Sequence, residues 1–220
     1  LFIPKTKAQK ITTNWRQYMN SLVSPFKLFV GDLNYFRIGE NKDLGDEIRN
    51  YLSDPANHYL WKCYTGRQTI THALRFTESI NLRFLKALST EFDTLEANQW
   101  MGIVQAERAN TGVFKKMILC FEQMLLTTGA TKVELGRIFI SKLSAKSIID
   151  SHVDSGKYFS YYDRFHFTVT AATENIFMIR DEECILESDS LYWVNNHVPH
   201  WLENRSNVDR INVIIDARLS

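Results

Sequence analysis

Disulfide frameworks, zinc knuckles and membrane helices are what this sequence argues against first. It has three cysteines, Cys63, Cys120 and Cys184. They are odd in number, far apart and never in a CxxC spacing, so they read as free thiols of a reducing, cytoplasmic compartment. No apolar run reaches the roughly 20 residues that a bilayer-spanning helix needs. No secretory leader is visible in a chain that opens at Leu1, and no membrane partner is expected. An excess of either charge is missing too: 26 basic and 25 acidic residues give a formal net charge of +1. No global field therefore draws the protein to nucleic acid, although net charge leaves room for a local basic groove. No internal repeat or low-complexity linker breaks the chain, so residues 1–220 are expected to form a single compact domain.

What is present is an ordinary globular balance, 45% hydrophobic and 23% charged, in a chain long enough to bury a proper core. Ile11, Trp15, Tyr18 and Leu22 recur at helical spacing up to Ser24-Pro25. Phe26 to Ile38 suggests one or two short strands, and Leu44, Ile48 and Leu52 a short helix stopped at Ser53-Asp54-Pro55. Phe76, Ile80, Phe84, Leu88, Phe92 and Leu95 predict a long helix. Phe114, Met117, Ile118, Phe121, Met124 and Leu125 predict a second, ended by Gly129. Residues 1–130 thus read as mainly helical, a support and a region for substrate specificity.

After Gly129 the pattern changes to short strand-like runs: 132–143, 147–152, 164–170, 176–179, 191–194 and 210–216. A helical half followed by such runs implies an α+β protein. Its expected core over 131–220 is a jelly roll, a cupin-like double-stranded β-helix, with the helical half packed on it.

The chemistry gathers in the strand region. Ser151-His152-Val153-Asp154-Ser155-Gly156 carries an HxD pair, answered by Asn195-Asn196-His197-Val198-Pro199-His200 and then Arg210. Two histidines and one carboxylate form the face that holds non-haem Fe(II) and leaves positions open opposite. On a strand, residues two apart share a face, which pairs His152 with Asp154, Arg164 with His166, and Arg210 with Asn212. So much inward polarity is costly unless it is paired or binds something.

Taken in order, these pieces resemble the catalytic domain of the aspartyl/asparaginyl β-hydroxylase family, a branch of the Fe(II)- and 2-oxoglutarate-dependent oxygenases. The likeness runs from Arg137 to Asp216. It rests on His152-Val153-Asp154-Ser155-Gly156, on Arg164-Phe165-His166, and on Asn195-Asn196-x-x-x-His200-x-x-x-Asn204-x-x-x-x-Asp209-Arg210, closing with Ile214-Ile215-Asp216. The resemblance implies that His152, Asp154 and His200 are iron ligands. It implies that Arg210 pairs with the distal carboxylate of 2-oxoglutarate, and that Arg164, His166 and Ser141 line the same anion pocket. Dioxygen is the second co-substrate. Some animal members of the family have glycine where Asp154 stands, and related halogenases drop the carboxylate for halide; the retained Asp154 favours hydroxylation. The family points to the β-carbon of an Asp or Asn residue in a polypeptide, with a free amino acid such as proline as the alternative substrate.

Blander readings stand beside these. His152 fits a histidine bonded to a backbone carbonyl, Asp154 a turn residue, and Arg164 an ion-pair partner of Asp163 or another carboxylate. His197 competes with His200, and the Asn-Asn prefix and the spacing to Arg210 favour His200. His58 and His72, in the first half, have no assigned chemistry. A non-catalytic cupin-like metal binder would keep the histidines but has no need of Arg210 and the Arg164-x-His166 pair.

Overall fold

Eleven strands and three helices make up the regular elements of the computed structural model, which describes residues 26, 30–63, 72–85, 101–103 and 111–220. Strands β1 (Tyr35–Glu40), β2 (Thr77–Leu85), β3 (Met101–Ile103), β4 (Val133–Leu143), β6 (Asp163–Thr170), β9 (Ser190–Val194) and β11 (Arg210–Leu219) form a seven-stranded sheet in the order β1-β9-β6-β11-β4-β2-β3. Strands β5 (Ser147–His152), β7 (Asn175–Ile179), β8 (Glu182–Cys184) and β10 (His200–Asn204) form a four-stranded sheet in the order β5-β10-β7-β8. Pairing is antiparallel throughout, from β1 on β9 to β7 on β8. Two antiparallel sheets are what a jelly roll requires, and the large one takes three of its strands, β1, β2 and β3, from before residue 131.

Alternation along the strands gives the large sheet two unlike faces. One face, including Ile80, Ile138, Ile140, Phe165, Phe167, Val169, Trp193, Val213 and Ile215, joins the helices in a single apolar core. Helix α1 (Lys42–Ser53) contributes Leu44, Ile48 and Leu52, and helix α2 (Thr111–Leu126) contributes Phe114, Met117, Phe121, Met124 and Leu125. Both helices match their predicted stripes. Asn41 caps α1, its side chain accepting from the Leu44 N–H at 3.0 Å. Asp54 then accepts from the Ala56 N–H at 2.9 Å and opens a 3-10 turn over Pro55–Lys62. Gly129, at φ 89°, takes the left-handed turn after α2.

The opposite face looks toward the small sheet. A second, smaller core of Leu143, Phe177, Ile179, Cys184, Leu186, Tyr192, Val194 and Leu202 lies there, beside a buried polar set that includes Ser79, Asn81, Ser141, Thr168, Arg210, Asn212 and Asp216. This is the face that carries the chemistry.

The helix predicted from Phe76 onward is corrected by the structure. Thr77–Leu85 is strand β2, registered on β4 as Ser79↔Ser141 and Ile80↔Ile140, and on β3 as Leu85↔Met101. The reason is arithmetical: Phe76, Ile80 and Phe84 are four apart, a spacing that suits a helix face and a strand face alike. The intervening Ile80-Asn81-Leu82 alternation belongs to a strand, with Ile80 and Leu82 in the apolar core and Ser79 and Asn81 on the polar side. Leu88, Phe92 and Leu95 lie outside the described residues, as does the predicted helix through Ile11, Trp15, Tyr18 and Leu22. Among the described residues the first half supplies α1, α2 and two 3-10 turns, and it also gives β1, β2 and β3 to the large sheet.

One close approach pins the third helix, α3 (Lys157–Tyr161), to this sheet. The Tyr158 hydroxyl accepts from the Arg137 N–H at 2.9 Å and donates to Asp216 Oδ2 at 3.2 Å. It passes so near Gly136 that a β-carbon there would sit 2.6 Å from it and 3.1 Å from the Asp216 carbonyl oxygen. Gly136→Ala is therefore expected to lower stability by about 1–3 kcal/mol, the usual effect of overpacking. The check is the urea midpoint at an unchanged m-value.

Candidate metal centre

His152 closes β5 and His200 opens β10, and the two are direct cross-strand partners. Their rings stand 4.3 Å apart between centroids. Each ring places Nδ1 against a backbone carbonyl two residues back: His152 on Asp150 at 2.8 Å, His200 on Val198 at 2.9 Å. A carbonyl only accepts, so Nδ1 carries the proton and the Nε2 lone pair is left for a metal, the usual outer support of ligating histidines. Burial, and then the neighbouring His152, push His200 down to about 4, which keeps it neutral.

Asp154 joins them from the coil beyond the end of β5, tied by its N–H to the Asn196 carbonyl at 2.9 Å. The ligand atoms of His152, Asp154 and His200 all lie within 4.8 Å of one another. Burial acts to raise the Asp154 pKa, but the Arg164 guanidinium outweighs it, helped by His200 and the Asn196 amide. The carboxyl is held well below the usual carboxylate range. Two imidazoles and one ionised carboxylate are the donor set that suits Fe(II) and leaves adjacent positions free.

His152 and His200 open onto a cavity of about 580 Å³, counted out to its mouth and including open solvent. Ser141, His166, Arg210 and Asn212 give it polar lining; Leu143, Ile149, Phe177 and Leu202 give it apolar lining. Leu74 also lines it; its neighbour Arg75 is ion-paired with Asp150 on the ligand-bearing strand β5.

Arg210 is the odd group in this wall. It is 3% exposed, and its Nε and Nη1 have no hydrogen-bond partner among the described residues. Only Nη2 is engaged, with the Asn212 amide oxygen at 3.1 Å. Burial alone pulls its pKa down to about 10, with no carboxylate there to offset the cost. A buried guanidinium with two idle donors is expensive unless an anion completes it, and a planar carboxylate fits that fork. Arg210 therefore suits the far carboxylate of 2-oxoglutarate. The turn before Arg210 is built to hold it. Asn204, fully buried, donates to the carbonyls of Leu143, Ser144 and Val208 at 3.3, 3.1 and 2.8 Å, and Asp209 accepts from the Ala145 N–H at 3.0 Å.

The other predicted residues fall unevenly. Ser141 and His166 border the cavity. His166 is held neutral by burial and then by the charges of Arg164 and Arg210, and it stacks on Phe177 at 5.7 Å. Arg164 borders the cavity too, but all three of its side-chain nitrogens are engaged, with Asp154 and with Asp216. His197 is turned away, its Nε2 2.6 Å from the Phe159 carbonyl. Sequence reasoning gave no role to Asn196, Asp216, Phe177 or Leu74. Asn196 and Asp216 stood inside the motif, whereas nothing in the sequence tied Leu74 to the site.

Two histidines, a carboxylate and a buried arginine are what an Fe(II)- and 2-oxoglutarate-dependent site requires. Residues 91–219 match the model of the Aspartyl/Asparaginyl beta-hydroxylase family, and the chain belongs to that family. No curated protein matches it in sequence. In structure it is similar to the viral collagen prolyl hydroxylase of Paramecium Bursaria Chlorella virus-1, solved with 2OG. The identity is 9% over 86% of this chain and 97% of that one, with a TM-score of 0.49. It is similar also to an oxidoreductase of the 2OG-Fe(II) oxygenase family from Burkholderia pseudomallei. There the identity is 9% over 64% of this chain and 66% of that one, at a TM-score of 0.47. A third likeness is to the nickel complex of the non-heme monooxygenase ThoJ, 12% identical over 84% and 74%, at a TM-score of 0.46. The chain spans just under two thirds of the length of the Burkholderia protein.

A pH dependence follows from His200. Its folded pKa of about 4 lies below the ordinary histidine value of about 6.5, so between those pH values the unfolded chain binds the proton and the folded chain does not. Stability then rises with pH across that window and is lost as pH falls through it. The metal-free protein should lose on the order of 3 kcal/mol from this group between pH 6.5 and 4. Urea unfolding at several pH values should show a shallower slope in His200→Gln than in wild type.

Proposed function

We propose that this enzyme hydroxylates an unactivated carbon, most directly the β-carbon of an Asp or Asn residue in a polypeptide. The reaction consumes 2-oxoglutarate and dioxygen and releases succinate and CO2. His152, Asp154 and His200 hold the Fe(II); Arg210 takes the distal carboxylate of 2-oxoglutarate, with Ser141 and His166 beside it. When bound, iron and co-substrate supply oxidative decarboxylation and attack on a C–H bond. The chain's own residues bind, aim and exclude water. The two carbonyl-bonded imidazoles would offer Nε2 to the metal. Arg210 would hold the co-substrate's far carboxylate. Leu143, Ile149, Phe177 and Leu202 give the cavity apolar lining.

The observation that carries this reading is the buried Arg210 with idle Nε and Nη1. A metal-binding cupin without a co-substrate has no use for it. The substrate rests on family membership, and Leu74 and the mouth residues are where its choice is expressed.

Anaerobic titration with Fe(II) and then 2-oxoglutarate tests the reading. Wild type should develop the visible charge-transfer band of the chelate, and His152→Ala and His200→Ala should not. Arg210→Met should weaken 2-oxoglutarate roughly 30-fold or more, the loss of two charged hydrogen bonds, with iron retained. A band that survives in both histidine variants would sink the ligand assignment. For the substrate, mass spectrometry of Asp- and Asn-containing peptides should find one added oxygen; addition only to free amino acids would overturn the polypeptide reading.

A further inference from the structure

The cavity's second arginine is occupied quite differently from the first. Arg164 spends all three side-chain nitrogens on carboxylates. Nε and Nη2 fork onto Asp216 at 2.9 and 3.1 Å, and Nη1 meets Asp154 Oδ2 at 2.5 Å. A fork on one carboxylate fixes the plane of a guanidinium, so Asp216 decides where Nη1 points. Asp216 is itself immobilised: it is 1% exposed and also receives Arg137 Nε at 3.1 Å and the Tyr158 hydroxyl at 3.2 Å. The Phe159 ring lies 4.9 Å from both guanidiniums and covers them. From the other side, Asn196 Nδ2 donates to the same Asp154 Oδ2 at 3.0 Å. Both hydrogen bonds thus converge on Oδ2, and none is made to Oδ1 among the described residues.

We propose that Arg164, anchored by Asp216, is a positioning residue that makes Asp154 a one-oxygen metal ligand, and that it does not contact the co-substrate. The inference rests on the metal-site reading above. A carboxylate beside a divalent ion can offer one oxygen or two. With two imidazoles and one oxygen, three positions stay open on the metal. A second oxygen from Asp154 would close one of them, and a two-point co-substrate and dioxygen would no longer fit together. Two donors on Oδ2 leave only Oδ1 for the ion, which preserves the count. The network also explains why a second buried arginine at the cavity adds no free donor to it: recognition of the co-substrate's far carboxylate falls to Arg210 alone among the two.

Co(II) alone, without 2-oxoglutarate, is the probe, because its visible absorption reports both affinity and coordination number. Wild type should bind it. Arg164→Met and Asp216→Asn should bind at least tenfold more weakly or with a changed spectrum, while Arg210→Met should match wild type. Where burial makes those variants fail to fold, Arg164→Lys serves in their place, since lysine keeps the charge but cannot fork onto Asp216 and reach Asp154 together; the same loss is expected. A second arm restores the missing oxygen from solution. Asp154→Ala should recover Co(II) binding with added formate, and Asp154→Ala with Arg164→Lys should not. Wild-type Co(II) affinity and spectrum in the Arg164 variants, with only 2-oxoglutarate affinity lost, would overturn the proposal and make Arg164 a co-substrate contact. So would equal formate rescue with and without Arg164. A wild type that binds no Co(II) would overturn the metal-site reading itself.

Discussion

The structure depends on one strand serving two interiors. β11 sends Val213, Ile215, Ala217 and Leu219 into the apolar core under the helices and Arg210, Asn212, Ile214 and Asp216 toward the small sheet. A strand with both faces buried is normally apolar on each. Here alternate positions carry an arginine, an amide and a carboxylate, all 5% exposed or less. Such a strand is tolerable only if every polar group on its inner face has a partner or a ligand. Asp216 has partners in Arg137, Arg164 and Tyr158, and Asn212 has Arg210. Arg210 alone is short of one, and the site follows from that shortage.

Charge is sorted along the same face. At one end two carboxylates, Asp154 and Asp216, meet two arginines, Arg137 and Arg164, and the group is balanced. At the other end Arg210 meets no opposite charge among the described residues. Between them sit imidazoles that burial keeps neutral at His166 and His200. A dianionic co-substrate with a coordinating end and a plain carboxylate end suits this division: one end needs a metal, the other needs a cation, and the middle needs nothing charged.

Much of the C-terminal half was legible because its elements are short, alternating and bounded by turns. Predicted 147–152 coincides with β5, and 164–170 and 176–179 each fall one residue short of their strands. β10 went unseen because two of its three inward residues, His200 and Asn204, are polar, so the usual apolar alternation is absent at the very strand that bears a ligand candidate. β2 misled for the opposite reason, a four-residue spacing shared by two periodicities. In the site, residue types at fixed offsets could be read, since HxD and the distal histidine are local patterns. The Arg164–Asp216 fork could not, because it joins residues 52 apart in sequence through a register that only pairing of β6 with β11 sets. Leu74 was still less visible: it lines the cavity beside an Arg75 that pairs with Asp150, and nothing about leucine announces that.

That ion pair has a consequence for how the cavity is held. The strands bearing the ligand candidates and Arg210 all lie within the matched residues 91–219, whereas Leu74 and Arg75 lie before them. One part of the cavity wall thus comes from chain outside the matched segment, joined by a charged contact to the strand that ends in His152. A displacement of that wall is felt on the same strand that carries a ligand candidate.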